Sequence, residues 1–313
     1  MKKNMKSCFI AVAILMPVVV CSVHAASLDD MNMEFAGLCS SGQYQEALVL
    51  ADQATKVSME KYGPESPQVV VWLNNLALLY NAQSRYADAE DSYKKALAIN
   101  EKIYGKTDQS VASSSEKLGW FYFMRGRHED AELYYERALS IYKGDQPANE
   151  SHIADIDNEL GELYYLTGRF SQAVEHYKEA LEIYEKVYGS YTDRITMLLE
   201  RLYELYYVTG KYKEAENMYR HALEICEITY KEDSPVIYRS LAKLAELAFL
   251  QGRYDEAASM YKRVIKINKE ILDPKDPHIA YLLIKQSEVY GKMGKTGEAE
   301  RLQKEAQKIL NKS

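Results

Sequence analysis

A pattern of small, aromatic and alanine residues recurs along this chain every 42 residues. The stretch LGELYYLTGRFSQA, from Leu160 to Ala173, repeats the spacing of LGWFYFMRGRHEDA, from Leu118 to Ala131. Further copies follow at the same interval without insertion or deletion, and together they make seven repeats from residue 28 onward. Such a regular period predicts one supersecondary unit per repeat, each stacked on its neighbours because it cannot bury its apolar face alone.

Positions within a repeat are numbered so that Leu160 is position 7. Position 8 is mostly small, position 11 mostly Tyr, position 15 mostly Gly, position 20 always Ala and position 24 mostly Tyr. Positions 4, 7, 8 and 11 share one face of a helix, and positions 20, 24 and 27 share one face of a second. Gly at position 15 ends the first helix because it readily takes the left-handed conformation. The spacing therefore predicts an all-α chain of helix pairs.

The prolines after residue 25 support these boundaries, because proline is excluded from helix interiors. All of them fall between the predicted helices, in segments that we interpret as connections: Pro64, Pro67, Pro147, Pro235, Pro274 and Pro277. The last helix is different, since ERLQKEAQKILNKS is mostly polar. A polar outer face is typical of the capping helix that ends a repeat array.

The second repeat resembles a known repeat family. NNLALLYNAQSRYADAEDSYKKALAINEKIYG, from Asn74 to Gly105, is similar to the long, 42-residue subtype of tetratricopeptide repeat (TPR) in kinesin light chains. The resemblance covers all seven repeats and implies a right-handed α-solenoid of TPR-like helix-turn-helix units. The TPR solenoid domain is expected over 26–313, with repeats at about 28–69, 70–111, 112–153, 154–195, 196–237, 238–279 and 280–313.

Residues 1–25 have the organisation of a secretory signal peptide. MKKNMK is basic, an uncharged apolar run extends from Cys8 to Cys21, and Val23 and Ala25 are the small residues of a cleavage site. The run is shorter than the about 20 residues of a membrane span, although an uncleaved anchor stays an alternative. We therefore predict a periplasmic or secreted protein with no stable membrane insertion after cleavage.

The charge of the chain limits its partners. The formal net charge is −7, and removing three lysines but no acids with the signal peptide makes it −10. An acidic chain without a basic block disfavours nucleic acid and anionic membranes as partners. The remaining cysteines, Cys39 and Cys226, are interpreted as free, buried thiols rather than as a disulfide framework.

The sequence contains no motif that predicts catalysis. The histidines after residue 25 are not paired at metal-ligand spacing, and the phosphate-binding, dinucleotide-binding and nucleophile-elbow signatures are missing. The repeats occupy nearly all of the chain after the signal peptide. We therefore predict a protein that is not an enzyme and that has no catalytic, cofactor or metal site.

The candidate binding residues come from positions 5, 9 and 12 of the first helices, which lie opposite the predicted buried face. The family resemblance implies that this side lines a concave groove, which in TPR proteins binds extended peptides. Here it carries a row of carboxylates beside a row of aromatic rings, which favours a protein or peptide partner with cationic residues. The predicted partner-binding residues are Glu116, Trp120, Phe123, Asn158, Glu162, Tyr165, Glu200, Glu204, Tyr207, Glu246, Phe249 and Glu288.

Two alternatives stay open at the level of sequence. Arg201, Lys243 and Lys285 each precede a Glu by three residues, and such pairs are favourable on any exposed helix. The aromatic rings can equally pack against a neighbouring helix. The sequence thus predicts an exported scaffold or adaptor, and the alternative is a structural or self-assembling module that uses its ends or its convex face.

Overall fold

The computed structural model describes residues 27–144, 149–189, 192–229 and 235–311. In these ranges the chain is helical apart from short connections, and no strand occurs. The helices are α1 (Leu28–Ser40), α2 (Tyr44–Tyr62), α3 (Pro67–Ala82), α4 (Tyr86–Tyr104), α5 (Gln109–Met124), α6 (His128–Lys143), α7 (Glu150–Leu166), α8 (Phe170–Tyr188), α9 (Asp193–Val208), α10 (Tyr212–Thr229), α11 (Pro235–Leu250), α12 (Tyr254–Ile271), α13 (Pro277–Lys292) and α14 (Thr296–Leu310). The predicted fold class is confirmed: the protein is an all-α solenoid of repeats.

The chain divides by packing into two compact units, one ending at Ile99 and the other beginning at Asn100. All of the predicted partner-binding residues belong to the second, which we call the C-terminal unit. The predicted signal peptide, residues 1–25, and the predicted first mature residue, Ala26, lie outside the described residues.

Among the described helices, none is both long enough and apolar enough to cross a membrane.

The turn between the two helices of each repeat depends on the residue at position 15. In six repeats this residue is Gly, with φ between 68° and 75°. In the second repeat Ser84 takes the same left-handed conformation, with φ 61°. The predicted role of position 15 is therefore confirmed, including at the one repeat that lacks the glycine.

Three of the prolines correct the predicted boundaries. Pro67, Pro235 and Pro277 were interpreted as parts of connections, but they are the first residues of α3, α11 and α13. Proline fits there because the N–H that it lacks would have no partner in the first helical turn and because its fixed φ suits a helix. The first helices consequently begin a few residues earlier than the repeat pattern indicates.

The small residues at position 8 allow the two helices of a repeat to approach closely. A Cβ atom at Gly161 would lie 2.6 Å from ring atoms of Tyr177, and one at Gly119 would lie 2.8 Å from the ring of Tyr135. Each tyrosine is at position 24 of the repeat that contains its glycine, and both tyrosines are fully buried. The prediction that position 8 lies where the two helices of a repeat meet is confirmed, and at these two glycines the ring at position 24 leaves no room for a Cβ atom.

The first helices bury a wider arc than the sequence predicts. Positions 3 and 10 are buried in repeats 2 to 7, in addition to the predicted positions 4, 7, 8 and 11. In the first repeat the same two positions, Asp30 and Gly37, are exposed. Within the C-terminal unit each first helix also packs against the second helix of the preceding repeat, which accounts for the additional buried stripe.

Successive second helices in the C-terminal unit are joined by ion pairs between residues 36 apart. Lys143 Nζ lies 2.8 Å from Glu179 and Lys269 Nζ lies 2.6 Å from Glu305. The same spacing recurs in Arg137–Glu101, Arg220–Glu256 and Arg263–Glu227. Five ion pairs of this spacing thus join the second helices of neighbouring repeats.

Candidate functional site

The exposed surface of the first helices in the C-terminal unit is a strip made of positions 2, 6, 9 and 13. These positions lie within about 60° of one another around a helix of 3.6 residues per turn. Positions 5 and 12 are mostly half-buried and border the strip. We call this surface, on α5, α7, α9, α11 and α13, the first-helix face. Of the three predicted positions, position 9 lies within this strip, on the edge nearest to positions 5 and 12, which lie at its margin.

The carboxylates at position 9 have cationic partners on their own helices. Glu288 Oε2 lies 3.2 Å from Lys285 Nζ. Glu204 lies 3.6 Å from Arg201, and Glu246 lies 3.6 Å from Lys243; each cation is three residues earlier on the same helix. The row of Glu residues is therefore not a row of free charges. The pairs expected on any exposed helix are present, and they offset most of the charge in repeats 5 to 7.

Glu162 has a different environment, because position 6 of its own helix is Glu159 rather than a cation. Glu162 Oε2 accepts a hydrogen bond of 2.8 Å from the hydroxyl of the buried Tyr177. The same carboxylate lies 3.4 Å from Arg201 on the next first helix, α9. Glu162 therefore links three elements, α7, α8 and α9, and shares its cationic partner with Glu204.

Four carboxylates lie together between α5 and α7, and we call them the acidic cluster: Glu116, Asp155, Glu159 and Glu162. Burial raises the pKa of Glu159, and the negative charges of the other three cluster members raise it further. Burial also raises the pKa of Glu116, with a further contribution from Asp155 and opposing effects from Lys117 and His152. The cluster is thus a region of unbalanced negative charge on the first-helix face.

Tyrosine hydroxyls from the second helices support the acidic cluster. Tyr142 donates to Glu116 at 3.4 Å, Tyr135 donates to Glu159 at 3.3 Å and Tyr184 donates to Asp155 at 2.5 Å. Asp155 also lies 2.7 Å from Arg194. These hydroxyls satisfy hydrogen-bonding capacity without adding positive charge, so the electrostatic imbalance stays.

The aromatic residues at position 12 pack across the turn of their own repeat. Each is half-buried against the ring at position 17, which begins the second helix. The ring-centroid distances are 6.2 Å for Phe123–His128, 6.0 Å for Tyr165–Phe170, 5.7 Å for Tyr207–Tyr212 and 5.7 Å for Phe249–Tyr254. The aromatic row therefore supports the turns, and it offers a partner only the ring edges that stay exposed.

The remaining predicted residues lie on the same face. Glu200 is paired with Arg239 of the next first helix at 2.6 Å, and Trp120 and Asn158 are half-buried on α5 and α7. Glu246 also accepts a hydrogen bond of 3.3 Å from Tyr207, and it lines a cleft of about 490 Å³ between α11 and α13. The structure thus brings the predicted residues onto one surface, where many of them contact one another or neighbouring helices.

A row of exposed aliphatic side chains on this face was not predicted. It occupies position 13 in four consecutive repeats, with exposed fractions of 57% for Met124, 55% for Leu166, 62% for Val208 and 45% for Leu250. We call these residues the aliphatic row. Its signal is visible in the sequence as an apolar residue recurring two positions before the turn glycine.

A buried Asp–His pair lies in the fourth repeat. His176 Nδ1 is 2.8 Å from Oδ1 of the fully buried Asp157, and Lys143 Nζ is 4.0 Å from Oδ2. Burial raises the pKa of the Asp157 carboxyl. Such a pair serves catalysis beside a nucleophile, whereas the His176 ring here packs on Tyr164 at 5.2 Å. We interpret it as a polar variation of the helix-pair core.

Neither Cys39 nor Cys226 forms a disulfide within the described residues; Cys226 is fully buried, as predicted, and Cys39 is half-buried. Across the described ranges, the His, Cys, Asp and Glu side chains form no group of three or more that could hold a metal ion.

Comparison with known proteins identifies the family. The profile of the tetratricopeptide repeat family matches residues 36–102, 70–144, 152–228, 193–270 and 233–312. The chain belongs to the tetratricopeptide repeat family. No curated protein matches the sequence. TPR domains are scaffolds suited to protein–protein interaction, and the first-helix face is the surface of this TPR protein that we examine for that role.

Solved structures show the same fold at low sequence identity. BtubC (BKLC) from P. vanneervenii is 22% identical, with a TM-score of 0.52 over 73% of this chain and 91% of that chain. A Podosopora anserina protein with nearly identical, kinesin-light-chain TPR-like repeats is 21% identical, with a TM-score of 0.56 over 65% and 96%. RapI in its apo form is 15% identical, with a TM-score of 0.62 over 91% and 77%. These likenesses show a shared fold.

A second conserved geometry of these TPR units also escaped the sequence reasoning. The residue at position 16 is basic in repeats 2 to 7, and it lies over the Tyr at position 11 in repeats 2 to 5 and in repeat 7, whereas repeat 6 has Ala248 at position 11. The cation lies 4.3 Å from the ring centroid in Arg127–Tyr122 and 4.4 Å in Arg169–Tyr164. The signal was present as a basic residue one position after the turn glycine, but it serves the turn and not the first-helix face.

Proposed function

We propose that this TPR protein is an exported, non-catalytic scaffold or adaptor whose first-helix face binds a protein or peptide partner that carries Lys or Arg residues. Export rests on the basic, apolar and small-residue organisation of residues 1–25. A non-catalytic role is the usual one for TPR repeats, which span nearly all of the chain after those residues. An acidic chain favours a polypeptide partner over nucleic acid.

The observation that carries the proposal is the acidic cluster. Elsewhere on the first-helix face most carboxylates are paired with cations, but here burial and the neighbouring carboxylates raise the pKa of Glu159, and burial and Asp155 raise the pKa of Glu116. Asp155 and Glu162 already have Arg194 and Arg201 beside them, so a cationic side chain from a partner would gain chiefly from Glu116 and Glu159 and would relieve the repulsion at those two carboxylates. Such complementarity contributes to specificity and to the association rate more than to total affinity. A partner is therefore expected to bind faster at low ionic strength.

The proposal is tested by capture of partners from the envelope fraction, using the chain from Ala26 onward as bait. The test variant is Glu116→Gln with Glu159→Gln, which removes two charges from the acidic cluster and keeps an oxygen acceptor at each tyrosine hydroxyl. The matched control is Glu175→Gln with Glu182→Gln, which removes two exposed charges from α8. Glu216 is unsuitable as a control, because it is paired with Arg220 on its own helix and with Arg253 of the next repeat.

We expect the test variant to lose the partner at low salt while the control retains it. Equal capture by both variants would contradict the acidic cluster as the binding surface. Loss in the α8 variant alone would favour the alternative in which the second helices carry the interaction.

A further inference from the structure

The aliphatic row is not required by the fold. Position 13 carries Ser40 in the first repeat, Ala82 in the second and Lys292 in the last, and all three are exposed. The same turn geometry is present in those repeats. The helix pairs therefore tolerate a polar or small side chain at this position. Repeats 3 to 6 nevertheless place a large aliphatic side chain there, about half of it in contact with water.

Exposed aliphatic side chains are ordinary when they are scattered singly. These four recur at the same position of four consecutive repeats, on helices that adjoin one another. Arg201 on α9 reaches Glu162 on α7 at 3.4 Å, and Tyr207 on α9 reaches Glu246 on α11 at 3.3 Å. The aliphatic side chains consequently form a row across neighbouring helices rather than isolated points.

The aliphatic row runs beside the charged part of the first-helix face. Leu166 follows Glu162 by four residues, and residues four apart lie on the same side of a helix, one turn apart. Val208 and Leu250 have the same relation to Glu204 and Glu246. The first-helix face therefore has two parallel strips, one charged with its acidic excess in repeats 3 and 4, and one aliphatic.

From these two strips we infer that the partner segment is amphipathic, with aliphatic side chains that cover Met124, Leu166, Val208 and Leu250 and with Lys or Arg side chains that reach the acidic cluster. This inference rests on the proposed function and names the chemistry of its partner. The aliphatic contacts supply affinity by removing apolar surface from water. The cationic contacts set orientation, because reversing the segment would place its cations over the aliphatic strip.

Charge also distinguishes this occupant from two others. An anionic membrane surface would be repelled by the acidic cluster, although it could accept the aliphatic side chains. A second copy of this chain would bring the same acidic cluster and a net charge of −7 or below. A polypeptide that combines aliphatic and cationic side chains complements both strips at once.

The test measures the Kd of short, fluorescein-labelled peptides by anisotropy with the chain from Ala26 onward. The probes are alternating Leu-Lys, Ser-Lys and Leu-Glu peptides of equal length. The protein variant is Leu166→Ser with Val208→Ser. Its matched control is Val187→Ser with Ile228→Ser, which changes two aliphatic residues of the second helices that are 41% and 58% exposed. Circular dichroism melting checks that both variants fold.

We expect the Leu-Lys peptide to bind the wild type and to bind the Leu166→Ser, Val208→Ser variant at least about tenfold more weakly, since each lost aliphatic contact is worth about that much. The Ser-Lys peptide is expected to bind both equally, and the control variant is expected to match the wild type. An unchanged Kd of the Leu-Lys peptide for the serine variant would overturn the inference.

The arms of the experiment separate this inference from the proposed function. Weakening by the serine variant but not by Glu116→Gln, Glu159→Gln would contradict the proposed function, and the reverse result would contradict only the aliphatic contact. If the wild type binds phosphatidylcholine–phosphatidylglycerol vesicles and the serine variant does not, the inference of a peptide partner would be overturned in favour of a lipid surface. If the wild type sediments as a dimer and the serine variant sediments as a monomer, the inference would be overturned in favour of a second copy of this chain.

Discussion

At the scale of single residues, the closest approach within each helix pair is set by one small residue and one ring. Gly161→Leu would place a side chain where Tyr177 ring atoms lie 2.6 Å from the Cβ position. The ring is fully buried, so it cannot move aside without disturbing the core. We expect a loss of unfolding free energy of about 1–3 kcal/mol or more, measured by urea denaturation.

Gly291→Leu is the matched control for that substitution. A Cβ atom at Gly291 meets nothing within 4 Å, and Leu is a better helix former than Gly. The control is therefore expected to keep or slightly raise stability. Similar losses in both variants would show that the Tyr177 contact is not the cause. Glu162 is unsuitable as a neutral neighbour, because it holds the Tyr177 hydroxyl.

Ser84 occupies a left-handed conformation that the other repeats assign to Gly. The left-handed conformation costs a non-glycine residue about 1–2 kcal/mol of folding free energy. Gly avoids this cost, but its larger conformational entropy in the unfolded chain offsets part of the gain. We therefore expect Ser84→Gly to raise unfolding free energy by about 0.5–1 kcal/mol. The reverse exchange, Gly126→Ser, should lower it by a similar amount in the same thermal melts, and a change of the same sign in both would refute the argument.

The pKa of Glu159 is raised by burial first and then by its carboxylate neighbours. A raised folded-state pKa means that the folded protein holds this proton more tightly than the unfolded chain. That contribution to stability is complete below the unfolded pKa and is lost as the pH rises through the folded pKa. Glu159→Gln does not titrate, so we expect it to melt above the wild type at pH 7. That advantage should shrink as the pH falls through the raised folded pKa of Glu159 and should be gone at about pH 4.5, near the unfolded pKa.

Glu175→Gln serves as the control for this pH dependence, because Glu175 is exposed on α8 away from the acidic cluster. It should melt close to the wild type at both ends of the pH range. An advantage of Glu159→Gln that stayed constant with pH would point to better packing rather than to relief of charge repulsion.

At the scale of elements, the second helices are linked by side chains whose spacing differs from the repeat period. Arg169 at the start of α8 donates through both Nη atoms to Glu132 of α6, each at 2.8 Å. The equivalent cation in the next repeat is Lys211, which faces Val174 in place of an acid at position 21. The fork of Arg is used where a carboxylate is available to receive it.

Arg169→Lys is therefore expected to lower unfolding free energy by about 1 kcal/mol, since Lys cannot donate two parallel hydrogen bonds and both side chains are only partly shielded from water. Lys211→Arg is the matched control, because position 21 of the preceding repeat is Val174 and offers no carboxylate between the second helices; it should change stability by less than Arg169→Lys does. Chemical denaturation measures the unfolding free energy of both variants. Equal losses in the two would exclude the bidentate hydrogen bond between Arg169 and Glu132 as the reason.

At the scale of the whole molecule, the two sides of the C-terminal unit carry different electrostatics. Five ion pairs at the 36-residue spacing join the second helices, whereas the first-helix face carries the acidic cluster, where neighbouring carboxylates contribute to the raised pKa of Glu159. A surface whose charges already satisfy one another gives a charged partner little to gain. The unbalanced face is therefore the one to which a cationic partner is assigned in our proposal.

The proposed export also belongs to this scale. Val23 and Ala25 meet the small-residue requirement of a cleavage site, so the exported protein is expected to begin at Ala26. N-terminal sequencing of protein recovered from the periplasm or the medium checks this. A chain that begins at Met1 and stays with the membrane fraction would contradict both the cleavage and the soluble exported form.

The sequence by itself determined the features that depend on residues close together in the chain. The period, the two helix faces, the turn at position 15 and the contact of Gly161 with Tyr177 all arise within one repeat. Helical periodicity and the conformational preference of Gly are local properties, so they can be read from spacing alone. The Pro67 boundary was wrong by a few residues because proline is compatible with a connection and with a first helical turn.

Only the tertiary structure decided which charges and apolar groups stay unpaired. Glu204 has Arg201 beside it, while Glu162 shares that cation from a neighbouring helix and joins Glu159 in the acidic cluster. The burial of positions 3 and 10 likewise depends on the preceding repeat. These contacts join residues about 36 to 39 apart, an offset fixed by how one repeat packs on the next. A single-helix pattern contains no information about that offset, so the surface left for a partner emerges only when the repeats are stacked.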